Sequence, residues 1–142
     1  MKTKNILTLL LLIFISYGYS QKKELRTANK FYDSGEYLSA LDILETSKSL
    51  FDSSDDKIKS QVMLLYGKIY TSTEDFELAI RSFNYSTELG ANENDLNSEI
   101  NKLETAIITS AIADNESENF SDAAKKLKIV YDINPENNTL YL

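Results

Sequence analysis

The chain contains no cysteine and no histidine, and only one proline and four glycines in 142 residues. Each shortage removes a class of answer. Without cysteine no disulfide can brace the fold, so packing of apolar side chains must hold it. Without histidine or cysteine, Ser-His and Cys-His nucleophile pairs cannot be assembled. Zinc and other transition metals lose their usual ligands for the same reason. So few glycines leave no glycine-rich phosphate loop. Catalysis would have to rest on carboxylates, serine, lysine or tyrosine alone, so the expectation is a protein that is not an enzyme and uses no cofactor or metal.

What is present begins with an unusual leader. Lys2 and Lys4 precede an apolar run from Ile6 to Ile15, broken by Thr8, and the small residues Gly18 and Ser20 stand just before Gln21. This order of positive, apolar and small residues is that of a secretory signal peptide over residues 1–20. The apolar run is short of the roughly 20 residues that a spanning helix needs. Cleavage is therefore expected, with no stable membrane anchor afterwards. The formal charge of −7 becomes −9 once the two leader lysines are gone. A chain this acidic repels phosphate backbones, and no clustered Lys/Arg stripe along the sequence offsets it. Nucleic acid and anionic lipid surfaces are thus poor partners. With 42% apolar and 11% aromatic residues, the remainder can bury one domain-sized core.

Strand-like alternation is missing, and apolar residues recur at steps of three and four. One stripe runs Tyr37, Ala40, Leu41, Leu44 and on to Phe51; another runs Phe76, Ala79, Ile80, Phe83; a third runs Phe120, Ala123, Leu127, Val130, Tyr131. Each is the apolar face of an amphipathic helix. Further helical runs cover roughly Lys22–Asp33, Lys57–Tyr70 and Leu96–Asn115, which predicts six helices. Gly35 and Gly90 are placed to end helices in the left-handed conformation. Asp95 is placed to cap the next helix, Asp52 to Asp56 offer several caps in a row, and Asn134-Pro135 closes the last stripe.

The three stripes share a spacing. Ala40, Ala79 and Ala123 each follow an aromatic by three residues: Tyr37, Phe76 and Phe120. Twelve residues before each alanine stands a small residue, Ala28, Gly67 or Ala111, and four after it a large apolar one, Leu44, Phe83 or Leu127. Small residues let two helix axes approach closely, and large ones fill the groove beside them. One such hairpin cannot bury its own stripe, so neighbouring hairpins must stack.

This pattern resembles the tetratricopeptide repeat family, on Ala28-Asn-Lys-Phe-Tyr-Asp-Ser-Gly35-Glu-Tyr37-Leu-Ser-Ala40-Leu, on Leu65-Tyr66-Gly67-Lys-Ile-Tyr70 and on the closing Tyr131-Asp-Ile-Asn-Pro135. The resemblance implies an all-α architecture of stacked antiparallel helix hairpins, a tetratricopeptide-like α-solenoid filling residues 21–142. Its repeats would lie at about 21–54, 60–93 and 104–137, with an incomplete fourth from 138 in which Tyr141 stands where an aromatic is expected. The alanines lie 39 and 44 residues apart, against 34 in a regular array. The extra residues fall in Phe51–Lys59 and Gly90–Ile100, so those joints should carry longer loops or longer first helices. Asp114 stands where the family usually has an aromatic. The layout is similar to the front of exported tetratricopeptide proteins of Gram-negative bacteria, which implies the periplasm or cell envelope.

Other local patterns have bland explanations. Ser54-Asp-Asp-Lys57 has the Ser-x-x-Lys spacing of some acyl enzymes but lacks a companion Lys-Thr-Gly. Asp52, Asp55 and Asp56 lack the central glycine and terminal glutamate of a calcium loop. Glu116 and Glu118 form an acidic turn.

In the repeat family the first helix of each hairpin lines a concave face. Here that would display Asn29, Tyr32, Lys68, Thr71, Ile112 and Asn115, which could hold an extended peptide through hydrogen bonds. Leu25 and Leu64 stand where carboxylate-gripping relatives need polar groups, so that activity is not carried over. The expected function is an exported interaction scaffold with a protein or peptide partner. The alternative is a regulatory or substrate-presenting segment of a larger envelope protein or enzyme whose activity lies beyond residue 142.

Overall fold

The computed structural model describes residues 20–134, and among these it is all-helical. The expected signal peptide, Pro135 and the incomplete fourth repeat lie outside the described residues. Seven helices are present: α1 (20–33), α2 (Tyr37–Thr46), α3 (Lys48–Asp52), α4 (Asp56–Ser72), α5 (Phe76–Glu88), α6 (Glu93–Glu116) and α7 (Phe120–Ile133). No helix among the described residues is long and apolar enough to cross a membrane.

The expectation of six helices fails at Ser47. The stripe from Tyr37 to Phe51 is not one helix, because the chain leaves helical geometry at Ser47 (φ −94°, ψ 8°) and starts again at Lys48. The break lets Phe51 turn inward, where it is 3% exposed. The extra residues of the first joint therefore build α3, and those of the second lengthen α6 to 24 residues. The cap of α6 also differs from expectation. Asn92, not Asp95, accepts from the backbone N–H groups of Asn94 and Asp95, because the helix begins one turn earlier. Asp55 caps α4 by accepting from Ile58 N at 2.8 Å.

The hairpins α1–α2, α4–α5 and α6–α7 close with one kind of turn. In the first, Gly35 N donates to Tyr32 O and Glu36 N to Phe31 O. In the second, Glu74 N donates to Thr71 O and Asp75 N to Tyr70 O; in the third, Glu118 N donates to Asn115 O and Asn119 N to Asp114 O. These paired bonds recover carbonyls that a helix end would leave unpaired. They require a left-handed residue, five positions before each alanine. Gly35 sits at φ 80°, but Glu74 and Glu118 occupy the same place at φ 62°. An L-residue there costs about 1–2 kcal/mol. Glu74 also accepts a hydrogen bond from Ser110, whereas Glu118 forms no side-chain contact among the described residues. Glu118→Gly is therefore expected to stabilise the protein by about 0.5–1 kcal/mol, read as a rise in Tm in a thermal melt.

The alanines and small residues of the repeat are buried: Ala28, Ala40 and Ala79 fully, Ala111 and Ala123 nearly so. Leu44 and Phe83 are buried with them, and Leu127 is half-buried. A Cβ at Gly67 would collide with the Phe83 ring, so the missing side chain of α4 makes room for the aromatic of α5. Phe120 departs from its expected packing role and is 62% exposed. Among the described residues nothing follows α7 to cover that side.

The core has two parts. Leu25, Ala28, Leu44, Phe51, Val62 and Ile69 belong to one, which joins α1–α3 to α4. Phe76, Phe83, Leu103, Ile107 and Val130 belong to the other, which joins α5–α7, with Leu64 and Tyr70 of α4 packed against it. Polar bonds tie the far ends: Gln21 Nε2 donates to Leu50 O at 3.1 Å, and buried Ser86 Oγ donates to Ser60 O at 2.8 Å.

Candidate functional site

Where α1 lies beside α4, their exposed faces bound an open cleft of about 650 Å3. The spacing of its residues explains the placement. Lys22, Arg26 and Asn29 are three and four positions apart and share one face of α1, while Lys57, Gln61, Leu64 and Lys68 share one face of α4. Leu25, Ile58 and Leu65 are core residues that close the bottom of the cleft, and half-buried Leu64 is the apolar side chain it presents. Lys22, Arg26, Lys57 and Lys68 stand around it.

The cations of this protein divide sharply. Lys23, Lys48, Lys59, Arg81, Lys102, Lys125, Lys126 and Lys128 each lie within 4.0 Å of a carboxylate. Lys22, Arg26, Lys30, Lys57 and Lys68 form no ion pair among the described residues, and all but Lys30 line the cleft. The carboxylate at the cleft, Asp55, is engaged in capping α4. The sequence reading found no clustered basic stripe; the docking of α1 against α4 assembles one.

Of the residues expected to hold a peptide, Asn29 and Lys68 line this cleft. Asn29 Nδ2 donates to Leu25 O at 2.9 Å. Tyr32 lies beside the cleft, with Lys68 Nζ 4.4 Å from its ring centroid, a separation at which the ring face attracts the ammonium. Burial, its largest influence, pushes the Tyr32 hydroxyl pKa above its ordinary value. Thr71 belongs to a second, shallower cleft between the ends of α4 and α6, and its hydroxyl donates to Gly67 O. Ile112 and Asn115 are exposed and line neither cleft. The structure therefore gathers Asn29, Tyr32 and Lys68, leaves Thr71 apart, and separates Ile112 and Asn115 from all of them. Sequence reasoning missed Lys22, Arg26, Lys57 and Gln61.

The second cleft holds a relay of polar groups. Lys126 Nζ lies 2.7 Å from Asp114 Oδ2 and donates to Ser110 Oγ at 2.8 Å, and Ser110 Oγ donates to Glu74 at 2.8 Å. The contact is a tight ion pair by distance, although Asp114 Oδ2 is out of line for a hydrogen bond. The relay fastens α6, α7 and the α4–α5 turn.

The remaining sequence candidates have structural roles. Ser54 Oγ donates to Phe51 O, Asp52 pairs with Lys48 at 2.6 Å, and Asp56 reaches Lys59 only at 3.9 Å. No group of three metal-ligating side chains comes together among the described residues.

On the other side of α4, Leu44, Phe51, Val62, Met63 and Tyr66 border a cavity of about 180 Å3. Tyr66 donates its hydroxyl to Glu45 Oε1 at 2.7 Å and stacks on Tyr70, with ring centroids 5.9 Å apart. Burial first, and the Glu45 carboxylate second, push the Tyr66 pKa far above its ordinary value. The unfolded chain then loses this proton first, so stability is fully present below about pH 10 and falls as pH rises beyond it. An ultraviolet titration of tyrosinate should show Tyr66 ionising only with unfolding. Tyr66→Phe should remove part of that alkaline loss.

Comparison with protein-family models, curated proteins and solved structures finds no match to this chain. The site is thus read from its own geometry.

Proposed function

We propose that this chain is an exported, non-catalytic interaction scaffold of the tetratricopeptide type, which holds an extended segment of a protein partner between α1 and α4. The observation that carries this reading is the cleft itself. It combines the half-buried Leu64 with cations that form no ion pair among the described residues, at a place where two successive first helices lie side by side. The repeated alanine spacing and the repeated hairpin turn support the repeat architecture. A partner protein suits an open cleft better than a small molecule, which needs a site that buries most of its surface. The leader over residues 1–20 supports export.

Photocrosslinking in intact cells tests the reading. A photoreactive phenylalanine analogue at Gln61, in the cleft, is expected to yield discrete protein adducts. The same analogue at Leu38, on the exposed side of α2, is expected to yield none. Equal labelling at both positions, or none at Gln61, would remove the cleft as the binding site.

A further inference from the structure

Three hairpins share one apolar stripe, and two of them have it covered. Tyr37, Leu41 and Leu44 of α2 pack in the first core part with Val62, Leu65 and Ile69 of α4. Phe76, Ile80 and Phe83 of α5 pack in the second with Leu96, Leu103 and Ile107 of α6. Each stripe thus meets the first helix of the next hairpin. Phe120, Ala124 and Leu127 hold the same three positions around Ala123 of α7. Yet Phe120 is 62% exposed, Ala124 is exposed and Leu127 is half-buried. Tyr131, 50% exposed, carries the stripe one turn further, where the earlier stripes have Lys48 and Thr87. Ala123 and Val130 are buried within the molecule itself.

We propose that this face of α7 is a self-association surface, on which two copies of the chain pair their α7 helices antiparallel. Its spacing selects that occupant. Residues 120, 124, 127 and 131 follow steps of four, three and four, which keeps them on one side of a helix for about three turns. Those steps are the seam positions of a two-helix coil. The order also reads alike from both ends. About a two-fold axis between positions 125 and 126, Phe120 of one copy meets Tyr131 of the second, and Ala124 meets Leu127. Aromatic lies on aromatic and small against large, which is the self-complementarity that a two-fold interface requires.

The charges agree with such a pairing. Lys125, Lys126 and Lys128 are matched within their own copy to Asp122, Asp114 and Asp132. Lys128, next to the seam, comes opposite Ser121 of the second copy, so no like charges face each other. Area sets the strength. Phe120 and Tyr131 leave about 200 Å2 per copy in water, against about 800 Å2 per partner in a standard stable interface. The dimer is therefore a weak one, with a Kd in the micromolar range. The pairing is independent of the α1–α4 cleft, whose residues lie on other helices.

The chain has no cysteine, so introduced cysteines test the register, in the protein as the cell processes it. Phe120→Cys and Tyr131→Cys variants, mixed and oxidised, are expected to form a disulfide-linked dimer of the two different chains, because opposed seam positions come within bridging reach. Neither variant alone should link, since each cysteine then stands about 16 Å along the helix from its counterpart. In sedimentation equilibrium the unaltered protein should dimerise as its concentration rises. Phe120→Ser with Tyr131→Ser, both at exposed positions, should raise the Kd about tenfold or more while leaving Tm unchanged. Should that double change lower Tm, Ala124→Glu, which sets a carboxylate in the seam, is expected to have the same effect on the Kd.

Linking of either cysteine variant by itself as readily as of the mixture would overturn the antiparallel pairing. A protein that stays monomeric far above micromolar concentration would overturn the dimer, and nitration with tetranitromethane then says what takes its place. Protection of Tyr131, located by peptide mapping, would assign the stripe to the chain's own residues beyond 134. Full nitration of Tyr131 would leave the face to a different protein.

Discussion

Replacing Phe83 by alanine is expected to destabilise the protein by about 3–5 kcal/mol, the range for removing a buried aromatic ring. The ring is 2% exposed and lies against Gly67, whose missing side chain it replaces. Removal opens a void between α4 and α5, and neither backbone can collapse into it while Ser86 remains bonded to Ser60. The complementary substitution makes the coupling visible. Gly67→Ala should cost about 1–3 kcal/mol by overpacking, despite alanine's higher helix propensity, because its methyl group lands on the ring. Combining Gly67→Ala with Phe83→Leu should cost less than the sum of the two single changes. Chemical denaturation of the four proteins gives the interaction energy directly, and strict additivity would mean that the two side chains do not share space.

Leu44→Ala should be nearly as severe, at about 3–4 kcal/mol. Leu44 is fully buried and borders the cavity of about 180 Å3 between α2, α3 and α4. Truncation enlarges a space that already exists, and the cost of such changes grows with the cavity left behind. The loss should also be uneven. Leu44 belongs to the first part of the core, so hydrogen exchange should accelerate most in α1–α3 and least in α6–α7. Uniform acceleration across all helices would instead show that the two parts unfold as one.

Much of the architecture was written in apolar spacing. The stripe of α5, Ala123 and Val130 of α7, and the small residues at Ala28, Gly67 and Ala111 are buried as the spacing predicts, whereas Phe120 and Tyr131 of the α7 stripe are exposed. Gly35 and Gly90 announced their turns because glycine alone adopts the left-handed conformation without strain. Glu74 and Glu118 gave no such sign: their turns are fixed by paired backbone bonds, which impose the conformation on whichever residue arrives there. The break at Ser47 was hidden because Phe51 continues the helical step of the preceding stripe. At Asn92, three neighbouring residues could all cap a helix, and propensity did not choose between them.

The cleft was legible only in halves. Lys22 and Arg26 are one helical turn apart and Lys57 and Lys68 three turns apart, so each pair could be assigned to one face. The repeat resemblance put Asn29, Tyr32 and Lys68 on one face, but it did not bring the four cations together. That depends on Leu25, Ala28, Val62 and Ile69 joining α1 to α4 in the core, a long-range fact. Ile112 and Asn115 were grouped with Asn29 and Lys68 by repeat position, but they lie on α6 and line neither cleft.

Leu64 has a double allegiance that gives the cleft a mechanical reach. One side of it forms part of the cleft floor, and it also packs against the core that joins α5, α6 and α7. A segment wedged between α1 and α4 would press on Leu64, and the strain would pass across α4 to the neighbouring hairpins. The floor of the cleft is therefore shared ground: the side chain that lines it on one side of α4 also supports the helices resting on the other.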